Sequence, residues 1–292
     1  MDGWTRGLSR RDVELPAGEN VHRGPAARLA PYVLGYAGSR HTEGDRPVLR
    51  RVSPVAGVTV LLDLEPADRW TVGPAAVRLS SPVDGLRAEP VVFEQSGHDL
   101  SMTIGLTPLG AHALFGLPLK ELSNANVSFG DLLGVRAARL AEELAHASGW
   151  AARFALLDER LAAWIRTGPE LDARVRGAWD RLIGSGGRST IGALAGELGW
   201  SRQRLESRFH TQVGLPPKSV ARIARFHRAL RMLTQPHGPR LADVATACGY
   251  VDQPHLNRDF RAFTGRPPTQ FLPLACQTTQ TSSAGASVAT RS

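Results

Sequence analysis

Residues 194–217, LAGELGWSRQRLESRFHTQVGLPP, return as residues 244–268, VATACGYVDQPHLNRDFRAFTGRPP. Ala195 matches Ala245 and Gly199 matches Gly249 at an offset of 50; from Ser201 and Asp252 onward the offset is 51. Leu205 then matches Leu256, Phe209 matches Phe260, Gly214 matches Gly265, and Pro216-Pro217 match Pro267-Pro268. Each copy has the same physical parts. A short apolar helix ends at a Gly, which tolerates a left-handed turn. Ser201 or Asp252 then caps the next helix by accepting from its orphan N–H groups. That helix buries Leu and Phe four residues apart and stops at a Gly followed shortly by Pro-Pro.

Helix, Gly turn and capped helix make the helix-turn-helix pattern, here in two copies. The second helices, expected over 201–213 and 253–264, carry polar residues opposite the Leu/Phe stripe. In the first these are Arg202, Gln203, Glu206, Ser207 and His210; in the second Gln253, His255, Asn257, Arg258 and Arg261. Arg, Gln, Asn and His form directional bonds to base edges, whereas a merely solvated face is richer in Lys and Glu. Pro254 falls in the first turn, where its missing N–H costs little, yet it offers a base no hydrogen bond. Between the copies, PKSVARIARFHRALRML (217–233) reads as one helix with Val220, Ile223, Ala224, His227 and Leu230 inward. Its length is about 26 Å at 1.5 Å per residue. With its flanking elements it sets two reading helices roughly one DNA turn, about 34 Å, apart.

Charge agrees. Residues 174–274 carry 16 Lys+Arg against 6 Asp+Glu, a net of +10, while residues 1–173 carry 18 against 21, a net of −3. The basic half suits a polyanion. Some of its charges, including those spiralling around 217–233, are expected to be plain solvated ones. Upstream, 1–20 reads as a loose polar arm, and 31–106 as short antiparallel strands cut by Gly, Pro and Asp-Gly turns. Thr107-Pro108 starts a helical region. Two amphipathic helices follow, one with Val135, Leu140 and Leu144 inward, the other with Phe154, Leu157 and Leu161. GSGGRST at 184–190 reads as a flexible joint, and the polar stretch after Leu274 as a disordered tail.

Other chemistry finds little support. Cys248 and Cys276 form no CxxC pair, and Cys248 reads as a small core residue. His22, His41, His98, His112 and His146 have no ligand spacing, so no metal or other cofactor is expected. There is no GxSxG elbow and no phosphate loop, and Ser81 and Asp84 lack a nearby His, so the chain is not expected to be an enzyme. The first sixteen residues have no signal-peptide core and no 18-residue apolar run exists, so a cytoplasmic protein without membrane contact is expected. Trp70, Trp150, Trp164 and Trp179 read as core rather than a ligand cage, and Trp200 fills the seat of Tyr250 in the repeat.

The last hundred residues resemble the AraC/XylS family of transcription regulators. LAGELGWSRQRLESRFHTQVGLPP, ARFHRALRML and above all DVATACGYVDQPHLNRDFRAFTGRPPTQF carry the likeness. The resemblance implies an α+β chain. Its N-terminal β-rich, cupin-like sensor and dimerisation domain (20–166) would have trailing helices. An all-α domain of two helix-turn-helix units joined by a long helix (170–274) would follow, then the tail (275–292). It implies base reading by Gln203, Glu206, Ser207, Gln253, Pro254, His255 and Arg258, to which the polar face of the first reading helix adds Arg202. Phosphate contacts would fall to Arg188, Lys218, Arg222, Arg261 and Arg266, with Ser201 and Asp252 as caps. Glu206 and Pro254 depart from the usual pattern, which puts shared specificity in doubt. Implied partners are double-stranded DNA in the nucleoid, a small-molecule effector, RNA polymerase and a second copy of the chain. Methyl-accepting repair chemistry, found in some relatives, needs reactive cysteines that the first 247 residues lack. The competing reading is a small-molecule-binding protein whose basic domain docks another protein. Retention of 170–274 alone on heparin or DNA cellulose separates the two.

Overall fold

The computed structural model describes residues 18–42, 47–72, 77–235 and 238–272. The expected tail and Cys276 lie outside these, as does most of the expected arm. The described chain is β-rich in its first third and helical afterwards. Gly18–Arg23 (β1) is already a strand, so the arm ends earlier than position 20. It pairs with Val33–Thr42 (β2) along its whole length because both are extended and uninterrupted.

A six-stranded antiparallel sheet has the order β1, β2, His98–Leu106 (β8), Val58–Asp63 (β4), Pro82–Asp84 (β6) and Asn126–Ser128 (β9). A three-stranded sheet orders Val48–Val52 (β3), Val91–Ser96 (β7) and Asp68–Thr71 (β5). Strand alternation sorts β8 into two faces. Leu100, Met102, Ile104 and Leu106 share one with Tyr36, Val58, Val60 and Leu62, and all are buried. Helices cover this face. Gly149–Arg166 (α4) stacks Phe154 on Tyr36 at 6.0 Å and lays Trp150 against Gly38, where a side chain would collide with the indole. The opposite face carries Ser39, Asp63, Asp99 and Ser101, and meets Arg69 of the small sheet. Arg69 donates to Asp63 at 2.9 Å and to Asp99 at 3.3 Å, so these three buried charges are paired.

The other helices are Pro108–Phe115 (α1), Phe129–Leu133 (α2), Val135–His146 (α3), Ala173–Gly184 (α5), Ile191–Glu197 (α6), Arg202–Val213 (α7), Pro217–Leu233 (α8), Leu241–Cys248 (α9) and Gln253–Thr264 (α10). Thr107 caps α1 through Gly110 N–H, as its position before Pro108 implied. Val135 is not an inward residue. Gly134 resets the start of α3, the buried stripe becomes Ala137, Leu140 and Leu144, and Val135 is 68% exposed. The stretch 184–190 is not a loose joint either. Gly186 and Gly187 are buried beneath α8, against Arg228 and Ala221, and the Gly187 N–H reaches Leu182 at 2.8 Å. One continuous apolar core runs from the six-stranded sheet through α10, so the two halves are packed together.

Asp158 of α4 ties that packing to the sheet. It accepts from the Tyr36 hydroxyl at 2.9 Å, the Ala26 N–H at 3.0 Å and Arg23 at 3.2 Å. Burial, then the Asp158 carboxylate, drives the Tyr36 phenol far up, so it stays a donor. Asp158→Ala strands these donors and is expected to lose about 3 kcal/mol of stability. Asp158→Asn, which keeps an acceptor, should lose less; urea unfolding of both checks this.

Candidate nucleic-acid interface

The two second helices begin where the sequence places their caps. Ser201 Oγ accepts from Arg204 N–H at 3.2 Å, and Asp252 Oδ1 accepts from His255 N–H at 2.7 Å. Before each cap a glycine turns the chain in the left-handed region, Gly199 at φ 64° and Gly249 at φ 78°, where a β-carbon is strained. After the turn Trp200 and Tyr250 fill equivalent seats and are buried. Each is covered by cations. Arg174 and Arg204 lie 5.6 and 5.3 Å from the Trp200 ring, and Arg225 lies 5.5 Å from Tyr250. These arginines hold the turns and were not legible as such; the matched aromatic seats were the available signal.

Leu205, Phe209 and Val213 anchor α7, and Leu256, Phe260 and Phe263 anchor α10, all fully buried. Both stripes lean on α8, whose Phe226 meets Phe260 and Phe263 edge-on at 4.9 and 5.0 Å. This leaves Arg202, Gln203, Glu206, Ser207 and His210 exposed along α7. On α10, Pro254, Arg258 and Arg261 are exposed, whereas Gln253, His255 and Asn257 are half-buried. His255 packs edge-on against Tyr250 at 5.2 Å, which fixes its ring at the start of the helix. The Asn257 carbonyl oxygen has no hydrogen-bond partner among the described residues.

The cations expected at phosphates divide into two groups. Arg188, Lys218, Arg261 and Arg266 are exposed, Arg188 resting its stem near Gly249. Arg222 is turned inward. Its Nε donates to buried Asp259 at 2.6 Å and its guanidinium lies 4.6 Å from the Phe263 ring. Nearby Tyr250 has its phenol driven far up, first by burial and then by Asp259, so it is neutral at any ordinary pH.

In the β-rich half, Val52, Ser53, Pro54, Val55, Asp84 and Arg87 help to line a small cleft. Ser53 Oγ, Asp84 Oδ1 and Arg87 Nε lack hydrogen-bond partners among the described residues. Burial pushes the Asp84 carboxyl up to about 6, against the opposing pull of Arg87 and Arg69. Among the described residues no group of His, Cys, Asp and Glu could hold a metal ion, and no helix is long and apolar enough to cross a membrane.

Residues 194–273 match the family described as helix-turn-helix domain. No curated protein sequence matches the chain. Among solved structures, a transcriptional regulator from Chromobacterium violaceum, described as having an AraC-type DNA-binding domain, is 22% identical. It covers 36% of this chain and 93% of its own, at a TM-score of 0.33. Unsaturated-fatty-acid-bound ToxT from Vibrio cholerae is 9% identical, covers 86% of this chain and 97% of its own, and has a TM-score of 0.47. A DNA-binding transcriptional dual regulator from Escherichia coli is 24% identical over 37% of this chain and 95% of its own, with a TM-score of 0.31. Two capped, glycine-turned units on one connecting helix occupy the segment that matches the model, so the C-terminal part of this chain belongs to the helix-turn-helix domain family.

Proposed function

We propose that this chain regulates transcription by laying α7 and α10 into successive major grooves of one duplex. The observation that carries the reading is the doubled unit, each copy capped, anchored by a Leu/Phe stripe and open on its polar face. On α7, Arg202, Gln203, Glu206 and Ser207 face bases; on α10, Gln253, Pro254, His255 and Arg258 do. Arg258 suits the two acceptors of guanine, and Glu206 the cytosine amino group. Pro254 reads at most by apolar contact. Arg188, Lys218, Arg261 and Arg266 fix register on phosphates; Arg222 joins them only with its terminal nitrogens, since its Nε is bonded to Asp259.

The β-rich half (20–166) would sense a small effector, and the helical half (170–274) would answer it. RNA polymerase and a second copy of the chain are further proposed partners, and the nucleoid of the cytoplasm the proposed location.

Arg258→Ala should lower affinity for a sequence selected from random duplexes by about 1–3 kcal/mol and relax the base preference at one position. Quantitative selection with parent and variant checks it; an unchanged preference contradicts the assignment. Lys218→Ala should reduce the slope of log affinity against log salt by about 1. Arg222→Ala should instead lower the unfolding midpoint, because it leaves Asp259 buried without its partner.

Asp84 gives a pH dependence. Its unfolded carboxyl ionises near 3.8 and its folded one near 6, so folding takes up a proton between those values. Stability therefore falls as pH rises through that window and levels off above about 6. Asp84→Asn should abolish this fall and be the more stable protein at pH 7, by about 2 kcal/mol. Urea midpoints from pH 4 to 7.5 test it.

A further inference from the structure

The two recognition helices end in repeat-equivalent glycines, Gly214 and Gly265, and each glycine touches the β-rich half. A β-carbon on Gly214 would come within 3.0 Å of the Leu119 carbonyl oxygen and 3.2 Å of Ser123 Oγ. The Ser123 hydroxyl in turn donates to the Gly214 carbonyl. A β-carbon on Gly265 would lie 3.2–3.3 Å from three atoms of the Arg51 guanidinium, which therefore rests flat on the end of α10. Both glycines are in the left-handed region, at φ 95° and 78°, and each closes its helix by donating its N–H to a carbonyl four residues back, that of His210 or of Arg261. The ends that meet the N-terminal half are thus the same ends in both copies, and they lie opposite the caps that start the reading faces.

The anchors have firm footings. Arg51 sits in β3, paired with Val92 of β7, and its positive charge complements the negative end of α10. Ser123 ends the 3-10 helix Leu119–Leu122, whose Leu122 backbone fits against Gly85 so closely that a side chain there would collide. One further bond supports them. The His227 Nε2–H of α8 donates to the Pro54 carbonyl at 2.8 Å.

We infer that Arg51 and Ser123 are positioning residues for DNA reading: held at these two points, the β-rich half fixes the separation and relative turn of α7 and α10. The inference rests on the proposed DNA reading. Neither residue touches DNA in this account. They act on spacing, which base-reading residues do not control. One base pair inserted between two half-sites moves one of them about 3.4 Å along and about 34° around the duplex. A clamped pair of helices cannot follow that change; a released pair can, by bending at α8 and its flanking turns.

The test uses the full chain. A duplex is first selected from a random library by the parent protein, then remade with one base pair added or removed between the two contacted segments. The parent should bind the altered duplexes at least about 10-fold more weakly than the original. Arg51→Ala and Ser123→Ala should each shrink that penalty to about 3-fold or less, while Ser123→Thr, which keeps the hydroxyl donor, restores it. Arg51→Met keeps the packed stem without the charge and stands in should Arg51→Ala not fold. A purely structural role would weaken binding to all three duplexes alike and leave their ratio at the parent's value; that result overturns the inference while leaving the DNA reading intact. Failure of the parent to enrich any sequence overturns both.

Discussion

The contact of Phe226 with Phe260 and Phe263 is the point on which the C-terminal geometry turns. It seats the second recognition helix on the long connecting helix, as Trp179 and Phe209, stacked at 6.4 Å, seat the first on α5. Aromatic pairs of this kind add directional preference to apolar burial, so each helix is held in rotation as well as in place. Rotation matters because a recognition helix turned by one residue, about 100°, would present a different set of side chains to the groove. The ion pair of Arg222 with Asp259 locks the same seat from the outside, and the cation-covered aromatics at the two turns lock the entry to each helix.

The β-rich half is built unusually for a two-sheet domain. The apolar face of the large sheet is turned to the helices, and the polar face to the small sheet. Its principal core is therefore continuous with the helical half, and the charged layer between the sheets is held by Arg69 with Asp63 and Asp99. A shared core, together with contacts at the ends of α7 and α10, joins the β-rich half to both helices. The cleft beside Pro54 adjoins a further contact, with the connecting helix α8: its wall includes the residue whose carbonyl takes the His227 bond.

Much of the helical half was legible. The repeat, the caps Ser201 and Asp252, and the bounds of the 217–233 helix all follow from local rules of capping, periodicity and glycine turns, which need no tertiary knowledge. What was not legible depended on distant partners. The alternation in β8 separates polar from apolar residues but does not say which face meets helices. Val135 fitted an apolar stripe until Gly134 set the helix start. Arg222 read as a phosphate contact, because its partner Asp259 lies 37 residues away. Arg51 and Ser123 carried no signal at all, since contacts between a strand, a 3-10 helix and two distant glycines leave no periodicity behind.

The central claim is that two helices of one chain enter successive grooves on one side of a duplex. Hydroxyl-radical footprinting of the full chain on a selected duplex measures this directly. The account predicts two protected segments on the same face of the DNA, their centres about 10–11 base pairs apart. A single protected segment, or two on opposite faces, would contradict it.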